Sequence, residues 1–121
     1  MKRDMDIVRR ILFAVEETNG VDLREIKVEK IDESIVGYHL VIMIEAGLIE
    51  GSYQSIDGYG CPHVLVSRLT WKGHDFLDAC RDETRWKGAK DIISKVSGVT
   101  FDVLKNVLTE IMTKQVSGMI T

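Results

Sequence analysis

The segment Arg68-Leu69-Thr70-Trp71-Lys72-Gly73-His74-Asp75-Phe76-Leu77-Asp78-Ala79 decides the fold, because an extended stretch turns into a helix within it. Thr70 is a good N-cap, since its hydroxyl can accept a free amide of the first helical turn. Upstream, residues 38–49 predict a helix that ends at Gly47 in a left-handed cap, followed by Leu48 and Ile49. A helix, a β-hairpin and a further helix in this order are typical of a winged helix.

Hydrophobic periodicity and turn residues predict the other elements. Val8, Ile11, Leu12 and Val15 recur at helical spacing, and Asn19-Gly20 suits a left-handed turn, so a first helix is expected over residues 4–18. Apolar and polar residues alternate over residues 26–31, which predicts a short strand with one buried face. Asp32 then caps a helix of residues 33–46. We expect next two antiparallel strands (48–55 and 63–69), joined through Asp57-Gly58 and Gly60, and helices of about 70–83, 85–96 and 100–115.

These elements predict a mostly helical α+β fold within a single domain. A winged-helix core (helix, short strand, helix, β-hairpin wing) covers about residues 1–84, and a C-terminal helical extension covers about residues 85–121. Both late helices carry apolar stripes, consisting of Trp86, Ala89, Ile93 and Val96 in one and of Phe101, Leu104, Val107, Leu108, Ile111 and Met112 in the other. A minimal winged helix ends near residue 80, so these stripes either cover the first helix or form a homodimer.

Composition restricts the class of protein. Of the 121 residues, 45% are apolar and 29% are charged, as in ordinary globular domains. The longest apolar run, residues 40–44, is far shorter than the roughly 20 residues that a membrane span needs. Asp4 and Asp6 follow Lys2 and Arg3 directly, which is unlike a signal peptide. We therefore expect a cytoplasmic protein without a membrane partner, and with its two cysteines as free thiols.

Nucleic-acid binding is favoured by the fold but not by the charge. The net charge is −3, and the helix that would enter the major groove has no Lys or Arg and offers only Ser34, Tyr38 and His39. The candidate phosphate contacts lie elsewhere, at Arg3, Arg9, Arg10, Arg81, Arg85, Lys87 and Lys90. These cations either track a phosphate backbone or belong to ordinary solvated helix faces, and the sequence leaves both interpretations open.

Enzymatic, metal and cofactor sites find no support. His39 has no nucleophile or acid beside it in sequence, so a hydrogen-bonded histidine at the core boundary is the favoured interpretation over a general base. Cys61, His63, His74 and Cys80 lack zinc-ligand spacing, because His74 and Cys80 lie about 240° apart around one helix. The carboxylates of Asp75, Asp78 and Asp82 are more typical of a solvated face than of a cation site. We predict no catalytic, cofactor or metal residues.

Trp71 is the least expected residue of its helix. Gly73, Phe76, Leu77 and Cys80 share the inner side by spacings of three and four, and Trp71 falls on the opposite side. The first interpretation is that Trp71 packs under the wing or against a later helix, and the second is that it contacts a partner. Candidate partner contacts are Tyr38, His39, Trp71 and His74.

Three segments together carry a family resemblance: residues 1–6 (Met-Lys-Arg-Asp-Met-Asp), residues 38–49, and the run from Arg68-Leu69-Thr70-Trp71 through Gly73-His74 to Phe76-Leu77-Asp78. The chain resembles an uncharacterised family of small bacterial and phage proteins that carries only a domain-of-unknown-function label. The resemblance covers nearly the whole chain and implies a bacterial, often prophage-associated protein. It implies no activity, so it transfers no functional residues.

The sequence therefore predicts a non-enzymatic module with two competing functions. The first is a DNA-binding-like regulatory protein that contacts duplex DNA. The alternative is a protein–protein interaction adaptor that keeps the winged-helix fold without binding nucleic acid. A continuous positive face would favour the first function, whereas an exposed apolar patch at Trp71 or at Met119-Ile120 would favour the second.

Overall fold

The computed structural model describes residues 1–54 and 62–120. These residues form an α+β fold with five helices and one antiparallel hairpin, which confirms the predicted class and the three helices that follow the hairpin. The order of helix, helix and hairpin is compatible with the predicted winged helix, and the turn predicted at Asp57-Gly58 and Gly60 lies outside the described residues. The elements are α1 (Met5–Glu16), α2 (Glu33–Glu45), β1 (Ile49–Gln54), β2 (His63–Leu69), α3 (Trp71–Cys80), α4 (Glu83–Ile93) and α5 (Phe101–Ile120).

The chain forms two compact units, residues 1–74 and residues 75–121. The first unit ends earlier than the predicted end of the winged-helix core near residue 84. The boundary falls within α3 because Phe76 packs against Phe101 in the second unit. Their ring centroids lie 4.6 Å apart. The second half of α3 therefore packs with the C-terminal helices.

The core of the first unit is built from one face of α1, from α2 and from the hairpin. Val8, Ile11, Leu12 and Val15 of α1 are all buried, as their spacing predicts. The helix begins after Asp4, whose carboxylate accepts hydrogen bonds from the amides of Asp6 (2.9 Å) and Ile7 (3.4 Å). The other buried apolar residues of this unit are Ile26, Val36, Leu40, Met43, Leu48, Ile49, Val64, Val66 and Leu69.

The strand predicted over residues 26–31 does not form, so this prediction was wrong. The isolated bridge nearest to this segment lies before it, between Arg24 and Val66 of β2. Ile26 is buried and Val28 is half-buried, so the alternation in sequence reflects burial of these side chains without pairing of the backbone. Lys30 adopts a positive φ of 65°, which no strand residue can keep, and the chain then turns toward the N-cap of α2 at Asp32.

The second unit has a core of its own. Phe76, Leu77 and Cys80 are fully buried, which confirms the predicted inner side of α3. Trp86 and Ala89 are buried on α4, but Val96, predicted on the same stripe, is 62% exposed because α4 ends at Ile93. Leu104 and Leu108 are the buried residues of α5, which continues to Ile120, beyond the predicted end at residue 115.

Candidate protein-binding site

The C-terminus of α2 ends in a complete Schellman motif. Gly47 has a φ of 77°, its amide donates to the carbonyl of Ile44 (3.0 Å), and the amide of Leu48 donates to the carbonyl of Met43 (3.0 Å). This confirms the left-handed cap that the sequence predicts at Gly47. The motif fixes the direction in which the chain leaves α2 and enters β1.

The N-terminus of α3 is bonded directly to that motif. The Thr70 hydroxyl accepts the amide of Gly73 (3.0 Å), which confirms its N-cap role, and donates to the carbonyl of Gly47. The Thr70 amide donates to the carbonyl of Leu48 (3.0 Å), and Nζ of Lys72 donates to the carbonyl of Ala46 (3.2 Å). We call residues 46–48 and 70–73 the α2–α3 junction. The two sequence segments that predict the fold thus meet in it.

Gly73 lets the two backbones of the junction approach closely. A Cβ added to Gly73 would lie 3.0 Å from the carbonyl carbon of Leu48 and closer still to its oxygen. Apolar carbon atoms are in optimal contact at about 3.5–4.0 Å, so no side chain fits at this position. The Leu-Thr-x-x-Gly spacing therefore has a physical explanation, because Thr70 bonds to the turn at Gly47 and Leu48 while Gly73 makes room for it.

Trp71 is the first residue of α3 and lies in this junction. Its neighbour Thr70 bonds to the end of α2 through both its amide and its hydroxyl and accepts the amide of Gly73, so the backbone at Trp71 is held in place. Its side chain is nevertheless 83% exposed. The interpretation that Trp71 packs under the wing or against a later helix was therefore wrong. An indole this exposed on a well-anchored backbone is unusual, because tryptophan is highly buried on average.

An open, mainly apolar depression adjoins the junction in the first unit. Its lining includes Leu23 from the loop after α1, Ile44 from α2, Ile49 from β1 and Thr70, together with Gly47, Glu50, Gly51, Ser52 and Ser67. Leu23 is 55% exposed and Val21, two residues before it, is 79% exposed. Scattered single apolar residues are normal at a protein surface, but these accompany a concave lining and an exposed indole.

Helix α2 lacks the surface that a major-groove recognition helix needs. Its exposed residues are Glu33 and Glu45, one at each end, and every residue between them is buried or half-buried. Its partly exposed positions are mainly apolar, among them Ile35, Val41 and Ile42. Negative charges at both ends oppose the approach of a phosphate backbone, and the partly exposed aliphatic side chains offer no base-edge hydrogen bonds.

His39 is fully buried and doubly hydrogen-bonded, which confirms the core-boundary interpretation. The Asp4 amide donates to its Nε2 (2.9 Å), so Nδ1 carries the proton and donates to the carbonyl of Ile35 (2.8 Å). The ring also meets the half-buried ring of Tyr38 edge-on, at 5.5 Å between centroids. His39 thereby ties the start of α1 to α2. It has no surface for a partner to contact, unlike His74, which is exposed.

The candidate phosphate contacts of the first unit differ in their surroundings. Arg3 is exposed in the segment before α1. The guanidinium of Arg9 lies over the ring of Phe13, 5.2 Å from its centroid, and Nη2 of Arg10 donates to the carbonyl of Glu29 (2.8 Å). Arg9 and Arg10 are thus engaged within the unit.

The candidate phosphate contacts of the second unit also have partners within that unit. Arg85 donates to the carbonyls of Ala79 (2.7 Å) and Asp78 (3.0 Å) and to Oε1 of Gln115 (2.9 Å). These bonds satisfy carbonyls at the end of α3 and connect them to α5, so Arg85 has a structural role. The remaining cations of this unit also have partners: Arg81 pairs with Asp78 (3.2 Å), Lys87 with Glu83 (3.7 Å), and Lys90 lies over the ring of Trp86 (6.0 Å).

The described residues form neither a metal-binding cluster nor a membrane-spanning helix. Over residues 1–54 and 62–120, no three His, Cys, Asp or Glu side chains come together as a metal site would require. Cys61 lies outside the described residues, Cys80 is buried, and Nδ1 of His63 faces Oε1 of Glu25 at 3.6 Å. Among the described helices, none combines the length and apolar character that crossing a bilayer requires.

Comparison with known proteins agrees with the resemblance seen in the sequence. Residues 2–100 match the family described as "Hypothetical protein (DUF2513)". The chain belongs to this family. A relative from Haemophilus influenzae, described as an uncharacterised protein, is 34% identical over 123 residues that cover 97% of this chain and all of the relative. No solved structure matches the chain.

Several features of the surface were not predictable from the sequence. Leu23 and Val21 read as ordinary apolar residues of a loop, and nothing in their spacing marks them as exposed. Arg85 reads as one cation in a charged run, whereas it bonds to the end of α3. A possible signal for Arg85 is its position three residues after Asp82, the N-cap of α4, which places it one turn into that helix.

Proposed function

We propose that this chain is a non-enzymatic regulatory or adaptor module that binds a protein partner, with Trp71 as the central contact. The exposure of the Trp71 side chain, on a backbone anchored by the α2–α3 junction, is the observation that carries the proposal. An anchored backbone loses little conformational entropy when the indole is buried by a partner. The adjoining apolar depression supplies further surface of the same character.

The size of the side chain makes Trp71 a strong candidate for a binding hot spot. An aromatic side chain of this kind buries about 150–250 Å² on association, which corresponds to roughly 4–6 kcal/mol at about 25 cal/mol per Å². Tryptophan is also enriched among residues that dominate binding energy at interfaces. A single side chain can therefore account for much of the affinity for a protein partner.

DNA binding remains the competing hypothesis, and the order of elements together with exposed Arg3 is what supports it. Against it stand the acidic ends of α2 and the internal engagement of Arg10 and Arg85. A bacterial or prophage origin, a cytoplasmic location and pairing of two copies through the C-terminal helices stay predictions.

The test compares proteins captured by the wild-type chain, Trp71→Ala and Val96→Ala. Each is tagged, folded and incubated with a lysate of a bacterium that encodes the protein, and captured proteins are quantified by mass spectrometry. We expect a protein that is recovered by the wild type and by Val96→Ala but is lost with Trp71→Ala. Val96 is the matched control because it is an exposed apolar residue of the second unit. Trp71→Ala should change the free energy of unfolding by less than about 0.5 kcal/mol, as expected for an exposed site.

Fluorescence anisotropy with random-sequence duplex DNA at two salt concentrations tests the competing function. Salt-dependent micromolar binding that Trp71→Ala leaves unchanged would overturn the protein-partner proposal in favour of phosphate contacts. Equal capture of every protein by all three chains would refute the role of Trp71.

A further inference from the structure

Among residues 1–54 and 62–120, the outer edge of β2 is paired at Val66 alone. The amide of Arg24 donates to the carbonyl of Val66 (3.0 Å), and the amide of Val66 donates to the carbonyl of Arg24 (2.9 Å). Residues two apart in a strand point their backbone groups to the same side, so the amide and carbonyl of Val64 also point away from β1. In the register with β1, Val64 and Val66 lie opposite Tyr53 and Gly51, which is consistent with this orientation.

The antiparallel pairing at the outer edge of β2 does not continue beyond the bridge between Arg24 and Val66. Continuing the antiparallel bridge by two residues would pair Ile26 with Val64, but no hydrogen bond joins these residues. Within residues 1–54 and 62–120, the outward amide and carbonyl of Val64 have no hydrogen-bonding partner. A strand edge of this kind is a template for another extended chain, because it presents a donor and an acceptor at strand spacing.

A small cavity opens beside this edge. We call it the β2 groove: it has a volume of about 150 Å³ and is lined by the apolar residues Ile26, Val28, Ile31, Val36, Leu40 and Val64. An apolar cavity of about this volume holds one group the size of a benzene ring. The groove is therefore large enough for a single aliphatic side chain and too small for a drug-sized ligand.

The rim of the β2 groove is slightly acidic. Its ionisable residues are the carboxylates Glu25 and Glu33, the ammonium Lys27, and His63, whose Nδ1 lies 3.6 Å from Glu25. Among the carboxylates and the ammonium group, two negative charges face one positive charge. A ligand with a basic residue beside its aliphatic residue is complementary to this rim.

We propose that the β2 groove binds an extended, basic segment of a partner protein by antiparallel strand addition at Val64. The partner residue opposite Val64 exchanges two backbone hydrogen bonds with it. Because paired residues of antiparallel strands place their side chains on the same face, the partner's aliphatic side chain enters the groove on the buried side of Val64. A flanking Lys or Arg lies at the acidic rim. This inference does not rest on Trp71.

The probe is the peptide acetyl-Lys-Thr-Leu-Thr-Lys-amide, added to the isotope-labelled full chain while backbone amide shifts are recorded by NMR. We expect saturable shifts at Arg24, Val64 and Val66. A matched peptide with N-methylated leucine cannot donate the hydrogen bond to Val64, and its affinity should fall by about tenfold, as for one lost hydrogen bond. Replacing the leucine of the peptide by glycine should lower the affinity by a similar or larger factor.

Substitutions in the protein test whether the carboxylates at the rim of the β2 groove contribute to the affinity for the peptide. Glu33→Gln should weaken binding of the lysine-flanked peptide several-fold, whereas Glu29→Gln, outside the groove lining, should leave it unchanged. Trp71→Ala should bind the peptide like the wild type, so a failure here and a failure of the Trp71 proposal are distinguishable. Absence of shifts at millimolar peptide, equal binding of the N-methylated peptide, or shifts centred on Trp71 would each overturn the inference.

Discussion

For the substitution Gly73→Ala, the structure and the local sequence predict changes in the free energy of unfolding that have opposite signs. Helix propensity alone predicts that alanine at this position of α3 stabilises the protein, by at most about 1 kcal/mol. The structure predicts the reverse, because the new Cβ would lie 3.0 Å from the carbonyl carbon of Leu48 and closer to its oxygen. The start of α3 must therefore move away from the end of α2 before the methyl group fits.

The magnitude follows from the contacts that this movement disturbs. Overpacking costs about 1–3 kcal/mol. The movement also stretches the hydrogen bonds from Thr70 to the carbonyls of Leu48 and Gly47, each with a net value of about 1 kcal/mol. After subtraction of the propensity gain, we expect the free energy of unfolding to fall by about 2–4 kcal/mol.

Urea unfolding followed by far-ultraviolet circular dichroism measures this change, with Gly88→Ala as the matched control. Gly88 is an exposed residue of α4, and a Cβ added to it would meet nothing within 4 Å. The control should therefore be stabilised by about 0.5–1 kcal/mol, the ordinary difference between glycine and alanine in a helix. If Gly73→Ala is as stable as the wild type, or more stable, the close approach of the α2–α3 junction is not a constraint and the reasoning fails.

Two further substitutions test structural roles by the same urea unfolding. Arg85→Gln removes the guanidinium bonds to Ala79 and Asp78 at the end of α3, so we expect a loss of about 1.5–3 kcal/mol, while Lys87→Gln should change stability by less than about 0.5 kcal/mol. Equal effects of the two would show that Arg85 is an ordinary surface cation. His39→Leu leaves the Asp4 amide without its acceptor and should cost about 1–3 kcal/mol; an unchanged stability would show that this bond does not hold the start of α1.

Local chemistry made much of the fold predictable from the sequence. Gly47, Thr70 and Asp32 were correctly assigned to helix ends, because a cap involves residues within about four positions of each other. The buried faces of α1 and α3 were likewise predicted, since helical spacing by itself decides which residues share a side. The resemblance to an uncharacterised family was also visible in the sequence, and the match to DUF2513 over residues 2–100 agrees with it.

The candidate sites depended on contacts between residues distant in the chain. The alternation at residues 26–31 is compatible with a strand, but pairing requires a partner edge in register, and only Arg24 meets Val66. Trp71 belongs to a helix whose inner side is clear from spacing, yet its exposure depends on whether any other element covers it. Neither property is encoded within a few residues.

The sequence by itself therefore determined the caps at Asp32, Gly47 and Thr70 and the apolar faces of α1 and α3, because those are effects of neighbouring residues. Only the tertiary structure decided that Gly73 must lack a side chain, that Arg85 binds the end of α3, and that no other described residue pairs with the outer edge of β2 at Val64. Each of these depends on the distance between backbones that are far apart in sequence, and that distance is set by the packing of the core.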